Sequence, residues 1–206
     1  LDEIVEATGS RAPLNFLRHI IQHRARWIVL FSGSHLPEAL PSYWSDYLIN
    51  TQALRVSYLN DADTRTLIQQ PVEGFPDIYE EAAVDEIVRL TRGQPYLTQL
   101  LCYQVVNQLN QAQRTRAGLD DIAAVIPRTF EAGANYFREF WNLSTTEIQR
   151  QVLASVAQDR PLSASEKRTA ETLVKAEVLE VENGRYRFQV PLMALWVEQQ
   201  IAGNGD

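Results

Sequence analysis

At 206 residues, with a hydrophobic fraction of 45%, the chain suits one large domain or two small ones able to bury a core. Its 26 acids against 19 bases leave a net charge of −7, which excludes the whole-domain basic footprint of a nucleic-acid binder and leaves room only for a local patch. One cysteine, Cys102, rules out an internal disulfide and fits a reducing, cytoplasmic setting; no apolar run reaches the roughly 18 residues of a membrane span.

The chain opens without Met on Leu1-Asp2-Glu3, an apolar residue running into two adjacent acids, and so reads as a fragment entered in mid-motif. Residues 13–26 carry Leu14, Leu17, Ile20 and Ile21 on one stripe, which predicts an amphipathic helix. Residues 27–31, Trp-Ile-Val-Leu-Phe, are apolar throughout, the habit of a parallel strand buried on both faces. This run ends in Ser32-Gly33-Ser34-His35. A polar and aromatic connection over 36–50 follows, with Pro37, Pro41, Tyr43, Trp44 and Tyr47, and then an alternating strand over 53–59.

Beyond Leu59 the pattern is helical. Asp61 is placed to cap a helix that runs to Gln70 and stops at Pro71. Val84, Ile87, Val88 and Thr91 mark a helix over 80–92 that ends at Gly93, a left-handed C′ residue. Pro95 suits the first position of the next helix, where a missing N–H costs nothing, and that helix buries Leu97, Leu100, Leu101, Val105 and Leu109. Residues 119–140 read as helix broken at Pro127.

In the last sixty residues, Ser144-Thr-Thr-Glu147 and Ser163-Ala-Ser-Glu166 both fit the capping box, and each precedes a helix. Residues 178–182 and 185–190 flank Asn183-Gly184, whose tolerance of positive φ predicts a hairpin. Pro191 starts a closing helix through Leu192, Leu195 and Trp196. Two helices followed by a hairpin outline a winged-helix-like domain.

Leu1-Asp2-Glu3, Leu30 to His35, Gly93-Gln94-Pro95-Tyr96-Leu97 and Arg185 to Leu192 occur in an order that resembles the C-terminal part of a STAND-class, AAA+-related P-loop ATPase of the archaeal-ATPase-like kind. No Gly-x-x-x-x-Gly-Lys-Ser/Thr loop occurs in these residues, so the Walker A half is missing from them. The resemblance implies an α/β remnant of the P-loop core over 1–60, an all-α lid over 61–142 and the winged-helix-like α+β domain over 143–206, mostly helical in sum. It implies that Asp2 holds Mg²⁺ through water and that Glu3 polarises the attacking water, where the protein chiefly positions groups and neutralises charge. Ser32, Ser34 and His35 fall at the sensor-1 position beside the γ-phosphate. Many relatives carry arginine there, whereas these residues offer hydrogen bonds without fixed positive charge. Gly93 and Pro95 match a lid motif whose proline packs on adenine, and Arg92 is a sensor-2 analogue; pure capping geometry accounts for the same residues without a ligand.

His19 and His23 sit at i, i+4 but lack a third metal ligand nearby in sequence, and Cys102 among leucines reads as packed. Lys167, Arg168, Lys175, Arg185 and Arg187 are interleaved with Glu166, Glu171, Glu177, Glu180 and Glu182, which cancels a DNA-binding field. The expectation is therefore the distal part of a nucleotide-dependent regulatory ATPase, using ATP and Mg²⁺ in its parent and inactive alone. A nucleotide-independent protein-interaction module is the alternative, and a winged-helix DNA-binding protein a weaker one. Protein partners are expected and a membrane is not. The open edge of the truncated sheet predicts self-association through the first third.

Overall fold

The structure, a computed structural model, describes residues 5, 7–33, 42–54 and 56–203. It divides into two compact units, Leu1–Val56 and Ser57–Asp206. The protein is mostly helical with one small two-stranded sheet among the described residues. Asp2, Glu3, Ser34 and His35 lie outside the described residues.

In the first unit, α1 (Ala12–His23) starts with Pro13 inside its first turn, where proline is tolerated. It buries Leu14 and Ile20. The connection expected over 36–50 contains a short helix, α2 (Tyr43–Leu48), and Trp44 packs with Val5 and Leu14 in a small cluster flanked by Tyr43 and Tyr47. The Arg11 guanidinium lies 4.5 Å from the centre of the Tyr43 ring, a cation–π contact.

The strands expected at 27–31 and 53–59 are not formed: residues 27–33, 51–54 and 56–60 have no regular secondary structure. Strand propensity becomes a strand only when a neighbouring chain closes the hydrogen-bond ladder, and no ladder partner is present among the described residues. Ile28 and Val56 are consequently 98% and 96% exposed. Exposed runs of this kind pair with other chains. Light scattering at about 100 μM should show the chain self-associating, and Ile28→Lys with Val56→Lys should leave it monomeric.

The second unit begins with α3 (Asp61–Gln69). Its cap is Asn60 rather than Asp61: the Asn60 side chain accepts the Asp63 N–H at 2.8 Å. Helices α4 (Glu81–Thr91) and α5 (Pro95–Ala112) follow, the second opening on Pro95 with Gln94 as its cap. Helix α6 (Leu119–Ala132) runs through Pro127, against the expected break there, and the chain turns at Gly133 into α7 (Ala134–Asn142). A β-carbon at Gly133 would come within 2.7 Å of Leu100 Cδ2 and 2.9 Å of Phe137 Cε2, so close packing decides the position of the break. Proline costs a helix one hydrogen bond, which the buried Ile122, Val125, Thr129 and Phe130 on either side offset.

Helix α8 (Glu147–Ala157) carries its capping box two residues later than expected, on Thr146 and Gln149. The box of α9 (Ala164–Lys175) is on Ser163 and Glu166 as the spacing predicts. Strands β1 (Leu179–Glu182) and β2 (Arg185–Phe188) pair antiparallel, Leu179 opposite Phe188, across a turn in which Asn183 and Gly184 both have positive φ. Helix α10 (Pro191–Gly203) closes the unit. Residues 61–142 and 143–206 share one core, from Ile68 and Ile87 to Leu173 and Val197. At its centre Phe137 stacks on Trp196, ring centres 5.4 Å apart, with Trp141 edge-on to the same indole at 5.9 Å.

The turn between α5 and α6 is tied down by a buried carboxylate. Asp121 accepts both Arg114 terminal nitrogens at 2.6 and 3.0 Å, the Gly118 N–H at 2.9 Å and the Gln108 amide at 3.0 Å. The Arg114 hydrogen bond above all, with the Gly118 N–H and the Gln108 amide, outweighs burial and lowers the Asp121 pKa. A carboxyl whose pKa falls on folding stabilises the fold above its unfolded pKa and loses that contribution as pH drops through the folded value. Asp121→Asn should therefore cost about 2 kcal/mol at pH 7, in the range for hydrogen bonds to a charged group. The gap should narrow as pH falls below about 4, the ordinary carboxylate range; urea unfolding of both proteins at pH 7 and pH 3 measures it.

Candidate functional site

Three segments distant in sequence meet around the turn between α4 and α5. Helix α4 ends on Arg92 in the left-handed region (φ 49°, ψ 32°), and Gly93 follows at φ 78°. Two consecutive left-handed residues turn the chain sharply enough for Gln94 to cap α5, its side chain accepting the Leu97 N–H at 2.6 Å. The Leu59 N–H donates to the Gly93 carbonyl at 2.8 Å. A β-carbon at residue 93 would stand 2.1 Å from the Leu59 carbonyl oxygen, so only glycine admits this approach. Below the turn, Thr64 donates to the Asn60 carbonyl, Thr91 to the Ile87 carbonyl and Thr98 to the Gln94 carbonyl. These buried hydroxyls are thereby satisfied.

The third segment is the approach to the hairpin. Ser57 Oγ donates to the Glu177 carboxylate at 2.8 Å and Tyr58 Oη to the Glu177 carbonyl at 3.1 Å. Burial, and then the Glu177 charge, raise the Tyr58 pKa. Arg92 reaches across to β1, its Nη2 lying 2.6 Å from Glu180 Oε1. An open cleft of about 320 Å³ results, lined by Tyr58, Leu59, Asp61, Thr64, Val88, Arg92, Gly93, Glu180 and Gln189. Arg92 is paired there with Glu180, and Asp61 with Arg65 at 2.8 Å.

An aromatic pair adjoins the same α4–α5 turn through Gln94. The Tyr96 and Tyr136 ring centres lie 4.8 Å apart, the planes tilted by 34°, and the Gln94 amide donates to Tyr136 Oη at 3.1 Å. Burial first, then the Tyr58 and Tyr96 hydroxyls, push the Tyr136 pKa up to about 12. Pro95 is exposed next to Tyr96, itself 43% exposed.

Of the residues singled out from sequence, Arg92 and Gly93 line the cleft and Pro95 stands at the start of α5 beside them. Ser32 is exposed in the first unit, and Gly33 has open space and no positive φ, so no turn demands glycine there. His19 and His23 are exposed with ring centres 4.9 Å apart, and no group of metal-ligating side chains occurs among the described residues. Burial pushes the Cys102 thiol up to about 11, which keeps it protonated and unreactive. The Tyr79 hydroxyl beside it is buried without a hydrogen-bond partner among the described residues; burial, then the thiol, raise its pKa.

Sequence reasoning missed Tyr58, Thr64, Gln189 and the facing role of Glu180. Glu180 lies 88 residues from Arg92, and nothing local to either residue signals the pair. Comparison with known proteins returns no matching family model, no matching curated protein and no matching solved structure.

Gly93→Ala should cost at least about 2 kcal/mol, the strained φ adding to the clash with the Leu59 backbone. Gly184→Ala, at positive φ in open space, should cost about 1–2 kcal/mol. Denaturant unfolding of both variants separates the contact from the dihedral.

Proposed function

We propose that the chain is the distal, lid-bearing portion of a STAND-class, AAA+-related ATPase that acts as a nucleotide-dependent switch. The observation that carries this reading is the docking of Leu59 on the Gly93 turn. It fastens the segment leading out of the first unit to the motif expected to meet adenine. A lid can report nucleotide state to the rest of a protein only if its ligand-facing turn is mechanically joined to the connecting segment, and a glycine-dependent backbone contact supplies that join.

In this reading Pro95 and Tyr96 offer the apolar face for adenine, and Arg92 offers a guanidinium for phosphate oxygens. Helices α8 and α9, the hairpin and α10 form the winged-helix-like part. Arg185 pairs with Asp159 at 3.6 Å and Arg187 with Glu182 at 2.6 Å, which favours a regulatory surface over a DNA-binding wing. Mg²⁺ would be held through Asp2, and Glu3 would polarise water. Both residues act only with a P-loop supplied from outside these 206 residues, in whose sheet residues 27–31 and 53–59 would find their neighbours. ATP and Mg²⁺ thus belong to the assembled ATPase.

A nucleotide-independent interaction module is the second reading, favoured by one observation: the cleft arginine, Arg92, is already paired with Glu180 at 2.6 Å, and Asp61 on the cleft lining is paired with Arg65 at 2.8 Å.

Calorimetry on the 206-residue chain should show no micromolar ATP affinity, because the P-loop amides and lysine that hold the β- and γ-phosphates are absent from it. In the parent ATPase, Glu3→Gln should preserve nucleotide affinity and slow hydrolysis at least about tenfold. Hydrolysis at the wild-type rate would remove Glu3 from the role, and a parent with no ATPase activity would leave the second reading standing.

A further inference from the structure

Helix α1 carries two of the three histidines of the chain, His19 and His23, and the nucleotide-switch reading uses neither. Four residues apart on a helix, two side chains project from one face, one turn above the other. Both histidines are exposed, while α1 buries Leu14 and Ile20. Their ring centres stand 4.9 Å apart, the planes tilted by 49°. Neither ring makes a hydrogen bond or ion pair among the described residues, so no protein partner holds its nitrogens there. The field of a helix C-terminus accounts for a histidine in the last turn, His23, but not for a second one a turn earlier.

The separation is the one that a shared metal ion requires. A metal–nitrogen bond of about 2.0–2.1 Å puts the centre of an imidazole about 3.2 Å from the metal, so two rings bound at about 90–110° lie about 4.5–5.3 Å apart. The 4.9 Å between His19 and His23 corresponds to an angle of about 100° at the metal. No group of three or more ligating side chains forms among the described residues, which leaves a closed, four-ligand zinc site without its ligands. Two imidazoles with water in the other positions suit an ion that favours nitrogen and tetragonal geometry.

We propose that His19 and His23 form a two-imidazole chelate on the exposed face of α1 for a divalent transition-metal ion of the copper(II) and nickel(II) class. Each imidazole gives a nitrogen lone pair to the metal and displaces one of its waters; no bond within the protein breaks. Arg18 and Arg24, exposed beside the pair, oppose a dication, and the last carbonyls of α1 favour it. The chelate closes over one helical turn and so fastens the end of α1, where the Arg24 N–H donates to the Ile20 carbonyl at 2.9 Å. The site owes nothing to the Gly93 turn and goes beyond the nucleotide reading.

The test titrates nickel(II) chloride into the whole 206-residue chain in a non-coordinating buffer, by calorimetry, and follows amide hydrogen exchange at saturation. One nickel ion should bind per chain at sub-millimolar concentration, copper(II) should bind more tightly, and excess Mg²⁺, which prefers oxygen ligands, should displace neither. Because the chelate needs both nitrogens, His19→Ala and His23→Ala should each weaken binding at least about tenfold. The double substitution should cost little more than either one, since the two act as a unit. His35→Ala should leave the affinity unchanged. Both helix positions are exposed, so their replacement leaves the packing of Leu14 and Ile20 intact. Saturating nickel should slow exchange over the last turn of α1 in the wild type and in neither single variant. The proposal is overturned if millimolar nickel fails to bind, if either single variant keeps wild-type affinity, or if His35→Ala abolishes binding. Unchanged exchange at the end of α1 overturns it too, as the mark of an adventitious ion only.

Discussion

The approach of the Leu59 carbonyl to the α-carbon of Gly93 constrains most of what surrounds it, because the contact leaves no room for a side chain. With Leu59 fixed there, Asn60 falls in place to cap α3, and Thr64 one turn later bonds back to the Asn60 carbonyl. On the other side Gln94 caps α5 and Pro95 occupies its first turn, so two helices start within a few residues of the same contact. The segment just before Leu59 is pinned again by Ser57 and Tyr58 on Glu177. A backbone contact that depends on one glycine thus brings together the entrance to the second unit, the α4–α5 turn and the approach to the hairpin.

Behind this junction the helices from α3 to α10 share their interior. The stacking of Phe137 on Trp196 and the edge contact of Trp141 join α7 to α10, elements that a division at residue 142 would assign to different domains. Aromatic pairs of this geometry add to the area they bury, and close packing transmits displacement instead of absorbing it. Contacts at the surface of such a body are polar and more readily exchanged. The Arg92–Glu180 pair is of that kind: half-exposed, long-range in sequence and borne by a two-stranded ribbon at the edge of the core.

The first unit has a different economy of contacts. Its small cluster of Val5, Leu14 and Trp44 secures α1 and α2, while the residues with the strongest strand character, Ile28, Leu30, Leu54 and Val56, remain in water. Helices form locally, one residue's N–H meeting a carbonyl four residues back, whereas a strand borrows its partner from elsewhere in the chain. Strand propensity without a hydrogen-bonded partner among the described residues leaves these segments irregular.

That difference also separates what could be read in the sequence from what could not. Helices α4, α5 and α9 and the Asn183-Gly184 hairpin were legible because their signals are local: an apolar stripe, Pro95 at a first position, a Ser163–Glu166 box, two residues that tolerate positive φ. The importance of Gly93 was legible as a helix end, but its contact with Leu59 was not, since the two residues are joined only by the folding of α3 and α4 between them. Pro127 misled because its local cost is visible and the packing that offsets it is not; the break belongs to Gly133, where Leu100 and Phe137 crowd the backbone. Composition, charge and motif order were enough to nominate Arg92, Gly93 and Pro95. Only the tertiary structure could set Glu180 against Arg92, because a salt bridge across 88 residues leaves no periodicity and no spacing in the chain.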